Sequence, residues 1–301
     1  MKLDLIENFW NRINDSNAII ESSWDNEVAY LNGLGIGMEE TLHYFYNEKP
    51  DSIVFKKWIE GKAKKQEEET GLVEDVLTKE DLLFWETNGY LVLKNAIPIE
   101  DCLATQTAIW NFLDKKPKDV ASWYTIHEDQ RGMMVNFFHH STLEKNRASL
   151  KIRKAYEQLY KTSAICKTID KVSFNPPITD NYTFFGSGLH WDVSLKPPIP
   201  FRLQGLLYLS NCNEKEGAFH CVPGFHVKIE DWLKSIAVNE NPREVALQTL
   251  TPKAIIGEAG DFVIWNQALP HCATPNFGKS PRMVQYLTYV PDNYIEKLEW
   301  I

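Results

Sequence analysis

The chain has 301 residues, 44% of them hydrophobic and 12% aromatic, which is enough for one principal domain with a smaller appendage. A net charge of -9 without a basic stripe argues against nucleic acid as a partner. No apolar run of about 18 residues is present, which argues against a membrane span, and the N-terminus lacks the basic flank of a signal peptide. The five cysteines are scattered and form no C-x-x-C pair, which indicates free thiols in the cytoplasm.

Up to residue 77 the chain is predicted to be helical. The segments IENFWNRI and MEETLHYFYNE space apolar residues at intervals of three and four, as on one face of a helix. These residues are Ile6, Phe9, Trp10, Ile13, Leu42, Phe45 and Tyr46. The mixed-charge run EGKAKKQEEE then indicates a solvated helix or linker at a boundary. We therefore expect a helical N-terminal segment over residues 1–77.

Residues 78–301 are expected to form a second, mainly β domain. The segment TKEDLLFWETNGYLVLKNAIPIEDC predicts a capped helix from Thr78, a turn at Asn88-Gly89, a strand over Tyr90–Leu93 and another helix near Pro98. From Ile165 onward, runs such as ICKTIDKVSFN, AIIGEAGDFVIW and RMVQYLTYV are typical of strands. Helices followed by strands favour a closed or sandwiched antiparallel sheet with flanking helices.

The segment GSGLHWDVSLKPP places His190 and Asp192 two residues apart, so a strand would present both side chains on one face. By itself this triplet is a weak signal for a metal, because a hydrogen-bonded His-Asp pair on a barrel wall is the more common explanation. His271 is the candidate third ligand, because AGDFVIWNQALPHCATPN predicts a turn at Gly260, a buried strand to Trp265 and then a histidine leaving the sheet. Non-haem Fe(II) enzymes use two histidines and one carboxylate, although zinc takes the same ligands with one water.

Arg282 follows at the start of RMVQYLTYV. Its planar guanidinium can hold a carboxylate by two parallel hydrogen bonds, as the far carboxylate of 2-oxoglutarate would require. In isolation, an arginine at a strand start is more often a surface residue. Together with the three candidate ligands, it favours iron with a keto acid cosubstrate over zinc.

These motifs resemble the phytanoyl-CoA dioxygenase family of Fe(II)- and 2-oxoglutarate-dependent oxygenases. The resemblance covers roughly residues 78 to 291 and rests on FWETNGYLVLKNAI, LHWD, EGAFHCVPGFH, GDFVIW and PHCATPN followed by PR. It implies a double-stranded β-helix, or jelly-roll, cupin-like core with His190, Asp192 and His271 as iron ligands. It also implies that Arg282 is the clamp for 2-oxoglutarate and that O2 is the second cosubstrate. Residues 1–77 lie outside the resemblance.

The chain departs from the family pattern at Ala273 and at Phe225, whereas Tyr208 agrees with it. The family commonly has serine two residues after the distal histidine, whereas this chain has Ala273, followed by Thr274. We therefore assign Thr274 to the cosubstrate site. Phe225 replaces the usual serine of a P-G-S-H turn, a change that concerns the turn. Tyr208 falls where family members often place an aromatic residue against the cosubstrate.

The activity implied by the resemblance is hydroxylation of an unactivated carbon of a small molecule, with release of succinate and CO2. The carboxylate of Asp192 also permits desaturation or cyclisation and argues against halogenation. A cupin-like metalloenzyme that does not use 2-oxoglutarate and a non-catalytic metal-binding relative are the alternatives. Substrate contacts are expected near the barrel mouth, where a purely structural role explains each candidate equally well. The candidates are Asn175, Thr183, Gln204, Trp265, His139 and His140.

Overall fold

The computed structural model describes residues 3–14, 19–34, 36–70 and 73–291, which fall into two units. The first unit contains the described residues up to Val76 together with Arg153–Ile169 and Tyr289–Pro291. The second contains Leu77–Ile152 and Asp170–Thr288. A functional division between residues 1–77 and 78–301 stays a proposal, since the first unit also takes in two later segments of the chain.

The N-terminal part of the first unit is helical, as predicted. Its helices are α1 (Leu3–Asn14), α2 (Trp24–Gly33), α3 (Met38–Glu48) and α4 (Ser52–Thr70). They enclose an apolar core of Ile6, Phe9, Leu31, Ile36, Phe45, Phe55 and Ile59. Tyr46, which the periodicity placed on the apolar face, is exposed, whereas Tyr44 stacks on Trp58 with ring centroids 4.4 Å apart. The mixed-charge run belongs to helix α4.

Two antiparallel sheets form the second unit. The larger sheet has the strand order β1 (Tyr90–Leu93), β9 (Phe262–Asn266), β6 (Leu203–Tyr208), β11 (Arg282–Tyr286), β5 (Val172–Asn175), β3 (Met134–Val135) and β2 (Gln130–Arg131). The smaller sheet has the order β10 (His271–Ala273), β7 (Phe219–Cys221) and β8 (Lys253–Ile255). Every strand pair in both sheets is antiparallel.

Six α-helices lie between residues 79 and 249, before the strands or between them in the chain. They are α5 (Lys79–Asn88), α6 (Ile99–Phe112), α7 (Ser141–Arg147), α8 (Leu150–Tyr160), α9 (Ile229–Ser235) and α10 (Pro242–Thr249), with 3-10 helices at Val120–Tyr124 and Phe225–Val227. Thr78 and Asp81 form a reciprocal capping box at the start of α5, and Gly89, with φ of 73°, ends it. The predicted helix start, turn and first strand are therefore confirmed. No helix in the described parts of the chain has the length and apolar character needed to cross a bilayer.

The core of the second unit lies between its two sheets. Phe219 on β7 and Trp265 on β9 bring their ring centroids within 4.4 Å of each other. The hydroxyl of Tyr208 on β6 donates to the carbonyl of Ile255 on β8 over 2.6 Å and accepts from the backbone N–H of Phe219 over 3.1 Å. The expected mainly β fold, a jelly-roll core with flanking helices, is confirmed.

Two segments that were predicted as strands each form two strands, and the two strands belong to different sheets. ICKTIDKVSFN forms β4 (Ile165–Lys167) and β5, and RMVQYLTYV forms β11 and β12 (Tyr289–Pro291). Strands β4 and β12 pair with each other in a separate two-stranded sheet of the first unit, whereas β5 and β11 pair in the larger sheet. Alternation of apolar residues identifies strands but carries no information on their partners, so the sequence could not show these divisions.

Candidate metal centre

His190 and His271 lie side by side because their backbones form an antiparallel bridge. The N–H of His190 donates to the carbonyl of His271 over 3.0 Å, and the reverse hydrogen bond measures 2.9 Å. Two residues further on, Asp192 places Oδ2 3.2 Å from Nε2 of His271 and Oδ1 3.6 Å from Nε2 of His190. One ligand atom from each of the three residues lies within 4.8 Å of the other two. The structure thus brings the three predicted ligands together.

Backbone carbonyls orient both imidazoles. Nδ1 of His190 lies 2.7 Å from the carbonyl of Gly188, and Nδ1 of His271 lies 3.2 Å from the carbonyl of Leu269. A proton on each Nδ1 satisfies these carbonyls and leaves the Nε2 lone pair available for a metal. Burial, reinforced by the neighbouring His271, lowers the pKa of His190 below its usual value. The hydrogen bonds thus select the tautomer with a free Nε2, and burial favours the neutral ring of His190 that binds metals.

The carboxylate of Asp192 is held ionised by its neighbours. Burial opposes ionisation, but the neighbouring His271 imidazole and the amide of Gln204 outweigh it and lower the pKa of Asp192. The amide Nε2 of Gln204 donates to Oδ2 of Asp192 over 2.8 Å. Two imidazole nitrogens and an ionised carboxylate are the donor set expected for Fe(II), and for zinc with a water molecule.

Arg243, on helix α10, fixes the backbone on both sides of Asp192. Its Nη1 donates to the carbonyl of Trp191 and its Nη2 to the carbonyl of Val193, each over 2.9 Å. The indole of Trp191 is buried and donates to the carbonyl of Ala268 over 3.0 Å. Asp192 is therefore carried by a segment that is held at both neighbouring residues.

A cavity of about 490 Å³ opens onto the three residues and lies within the second unit. The larger sheet contributes Arg131, Met134, Gln204, Gly205, Trp265, Arg282 and Tyr286. The smaller sheet contributes Phe219, His271, Cys272 and Ala273. The remaining wall is formed by Met133, Asp170, Lys171, Phe185, Gly186, Ser187 and Thr288, together with His190 and Asp192. The cavity therefore combines the candidate ligands with apolar and charged side chains.

Arg282 is buried in this wall, with 2% of its surface exposed. Its Nη1 donates to the hydroxyl of Ser173 over 2.9 Å, and its Nε has no hydrogen-bond partner among the described residues. A buried cationic donor without a partner is costly unless a ligand satisfies it. The guanidinium is thus suited to a carboxylate that enters the cavity.

Of the other residues predicted from the sequence, Gln204 and Trp265 line the cavity. They are register partners on β6 and β9, and the ring centroid of Trp265 lies 5.2 Å from that of His271. Buried Gln204 Oε1 and Trp265 Nε1 have no hydrogen-bond partners among the described residues. Both residues therefore offer polar atoms to a bound molecule.

Three further predicted residues lie outside the cavity lining. Tyr208 is fully buried and bonds backbone groups of the smaller sheet, so its geometry gives no support to a cosubstrate contact. Asn175 donates to the carbonyl of Thr274 over 3.1 Å. Asn175 Oδ1 and Thr274 Oγ1 are buried without a hydrogen-bond partner in the described parts of the chain.

The remaining substrate candidates are not brought to the cavity lining. His140 precedes helix α7, where its ring accepts a hydrogen bond from the N–H of Thr142 over 3.3 Å, so it acts as a helix cap. His139 lies 4.0 Å from Glu144. Thr183 is exposed in the segment between β5 and His190. The geometry supports structural or surface positions for these three residues.

Sequence reasoning missed several residues of the cavity. Tyr286 could have been found, because it lies four residues after Arg282 on one strand and therefore shares its face. Arg131, Asp170 and Lys171 carried no motif that would have singled them out. The orienting role of Arg243 was also missed, because it lies in a helix and acts on backbone carbonyls far away in the sequence.

Comparisons with known proteins agree with this arrangement. The sequence model of the family "Phytanoyl-CoA dioxygenase (PhyH)" matches residues 85–284. A Dictyostelium discoideum protein named "Putative phytanoyl-CoA dioxygenase" is 24% identical over 270 residues, covering 72% of this chain and 76% of that protein.

Solved structures extend the likeness at the level of the fold. HygX from Streptomyces hygroscopicus, crystallised with nickel, 2-oxoglutarate and hygromycin B, has a TM-score of 0.52 at 15% identity and covers 73% of this chain and 90% of its own. SnoK, a non-haem alpha-ketoglutarate-dependent carbocyclase from nogalamycin biosynthesis, has a TM-score of 0.50 at 17% identity, covering 73% and 87%. The match to the family spans most of the chain and contains all three candidate ligands and Arg282. The chain belongs to the phytanoyl-CoA dioxygenase family.

Proposed function

We propose that the protein is an Fe(II)- and 2-oxoglutarate-dependent dioxygenase that hydroxylates an unactivated carbon of a small molecule, with release of succinate and CO2. The observation that carries the proposal is the meeting of His190, Asp192, His271 and the buried Arg282 in one cavity. Family membership supports it, as does the likeness in fold to HygX and SnoK, whose names state the same cosubstrate.

His190, Asp192 and His271 would hold the iron through two Nε2 atoms and one carboxylate oxygen. Three protein ligands leave coordination positions for a chelating keto acid and for O2. When bound, iron supplies the oxygen chemistry, and the protein supplies binding, orientation and electrostatics. Carbonyls of Gly188 and Leu269 orient the two imidazoles toward the metal position.

Arg282 would bind the far carboxylate of 2-oxoglutarate and so aim its keto acid end at the metal. Its Nε supports this role, because it has no hydrogen-bond partner in the part of the chain that the structure describes and a carboxylate would satisfy this buried donor. The cosubstrate contact predicted for Thr274 lacks such support, because Thr274 does not line the cavity. Arg282 is the feature that favours this function over a cupin-like enzyme without a keto acid cosubstrate.

The cavity wall suits a substrate with an apolar part. Met133, Met134 and Phe185 line it together with polar groups, and Phe185 is 80% exposed. Gln204 and Trp265 are the substrate contacts that the geometry supports best, because both line the cavity beside the candidate ligands. A small molecule of mixed character is therefore the proposed substrate class.

Isotope labelling tests the reaction. Protein with Fe(II), 2-oxoglutarate and ¹⁸O2 is incubated with a panel of small amphipathic molecules, and products are analysed by mass spectrometry. Hydroxylation predicts a product that gains one labelled oxygen atom for each succinate formed. A product that has lost two hydrogens without gaining oxygen would favour desaturation or cyclisation, and a failure to form succinate under all conditions would contradict the proposal.

A further inference from the structure

Ala273 stands where the sequence pattern of the family predicts a serine. The cosubstrate end of the cavity therefore lacks a hydroxyl at this position. Ala273 lines the cavity and offers no hydrogen-bonding side chain, whereas the neighbouring Thr274 does not line it. A carboxylate beside Arg282 would therefore gain no hydroxyl donor from position 273. Either another structural element supplies this hydrogen bond to the carboxylate, or the bond is not made.

Tyr286 lies where such a donor is needed. Strand side chains four residues apart share a face, so Tyr286 and Arg282 on β11 point into the same cavity, and both line it. The hydroxyl of Tyr286 interacts with Ser173 and with the Arg282 guanidinium. Ser173 also accepts a hydrogen bond from Nη1 of Arg282 over 2.9 Å. The three side chains form one polar cluster, in which Arg282 and Ser173 are hydrogen-bonded.

Only part of this cluster faces the cavity. Ser173 is fully buried and does not line the cavity, so its hydroxyl serves to orient Arg282. Tyr286 is partly exposed at the cavity wall. Burial raises the pKa of Tyr286, although Arg282 opposes the shift, and the phenol therefore keeps its proton at neutral pH. A protonated phenol next to a guanidinium is a ready second donor for a carboxylate.

We propose that Tyr286 is the hydroxyl donor to the far carboxylate of the keto acid cosubstrate and replaces the hydroxyl that position 273 lacks. The inference rests on the proposed function, because it assumes a 2-oxo diacid bound by Arg282. It makes Tyr286 a determinant of selectivity between 2-oxo acids with and without a second carboxylate.

Anaerobic titration of the Fe(II) protein with two keto acids tests this role, with the visible charge-transfer band as the measure of binding. The probes are 2-oxoglutarate and 2-oxobutyrate, which lacks the far carboxylate. Tyr286→Phe removes the hydroxyl and retains the ring. We expect its Kd for 2-oxoglutarate to rise about tenfold, the range for one hydrogen bond to a charged group, and its Kd for 2-oxobutyrate to stay unchanged.

Two further variants separate direct binding from the orientation of Arg282. Ser173→Ala removes the orienting hydroxyl that does not line the cavity, and we expect a smaller loss of 2-oxoglutarate affinity than for Tyr286→Phe. Adding Ala273→Ser to Tyr286→Phe is expected to restore part of the affinity. Thermal melting of each variant without keto acid establishes that the fold is retained.

The outcomes distinguish this inference from the proposed function. If wild type binds 2-oxoglutarate and Tyr286→Phe binds it equally well, or loses affinity equally for both keto acids, the role of Tyr286 is wrong and the function stands. A loss in Ser173→Ala as large as in Tyr286→Phe also overturns the role. If the wild-type Fe(II) protein binds no 2-oxoglutarate, both proposals fail.

Discussion

The side-chain amide of Gln204 donates a 2.8 Å hydrogen bond to Oδ2 of Asp192, the same oxygen that lies 3.2 Å from Nε2 of His271. Gln204 belongs to the larger sheet, whereas His271 belongs to the smaller one. The carboxylate of Asp192 is thus held between the two sheets. Gln204 therefore orients a candidate metal ligand in addition to lining the cavity.

Replacing Gln204 should weaken metal binding without loss of the fold. Gln204→Leu removes the donor to Asp192, and loss of such an orienting partner typically lowers metal affinity by about 10- to 100-fold. Calorimetric titration with Co(II) under anaerobic conditions measures the change. Gln106→Leu is the matched control, because the Gln106 amide bonds the carbonyl of Leu209 and does not line this cavity. Equal affinities for the two variants would contradict an orienting role for Gln204.

We expect Arg243 to raise the affinity for metal although it is not a candidate ligand. Arg243→Met removes the two hydrogen bonds to the carbonyls of Trp191 and Val193 that hold the backbone around Asp192. We expect Co(II) affinity to fall by roughly tenfold. Arg243→Lys should recover little of it, because a single ammonium cannot reproduce the planar fork of the guanidinium. Wild-type affinity in Arg243→Met would show that Asp192 is positioned without this clamp.

Tyr208→Phe should reduce stability and leave cosubstrate binding intact. The change leaves the buried carbonyl of Ile255 and N–H of Phe219 without their shared partner, which corresponds to a loss of about 2 kcal/mol in the free energy of unfolding. Urea denaturation measures the loss, and keto acid titration measures binding. Unchanged stability with weakened 2-oxoglutarate binding would instead support the cosubstrate contact inferred from the sequence.

Asp192→Gly should greatly weaken metal binding and abolish activity. The change removes the only carboxylate of the three-residue cluster, leaving two imidazoles. Asp192→Asn is the matched variant, because it keeps the size of the side chain and removes its charge. We expect both variants to bind Co(II) much more weakly than wild type, with the larger loss for glycine. Undiminished hydroxylation by Asp192→Gly would remove Asp192 from the proposed ligand set.

The sequence predicted those features that local patterns encode. Alternation and turn residues identified the strands, and the capping pattern at Thr78 located a helix start. The spacing of His190 and Asp192, with a histidine at the end of a buried strand, was enough to propose the cluster that the structure assembles. Each of these predictions depended on residues close together in the chain or on a motif of fixed order.

Features that depend on register between distant segments were not predictable. Gln204 was expected to contact substrate, but its pairing with Asp192 depends on how β6 lies against the segment that contains the ligands. His140 was proposed as a substrate contact, whereas it caps helix α7. Spacing alone could have placed Tyr286 on the strand face of Arg282, but the proximity of Ser173 to both residues arises only where β11 pairs with β5 in the folded sheet.

Anaerobic binding tests the central claim most directly. Wild-type protein with Fe(II) and 2-oxoglutarate should develop a visible metal-to-ligand charge-transfer band that requires both additions and is absent from Asp192→Gly. When O2 is then admitted, the band should disappear and succinate should form. Binding of both Fe(II) and 2-oxoglutarate with neither a band nor succinate would contradict the account.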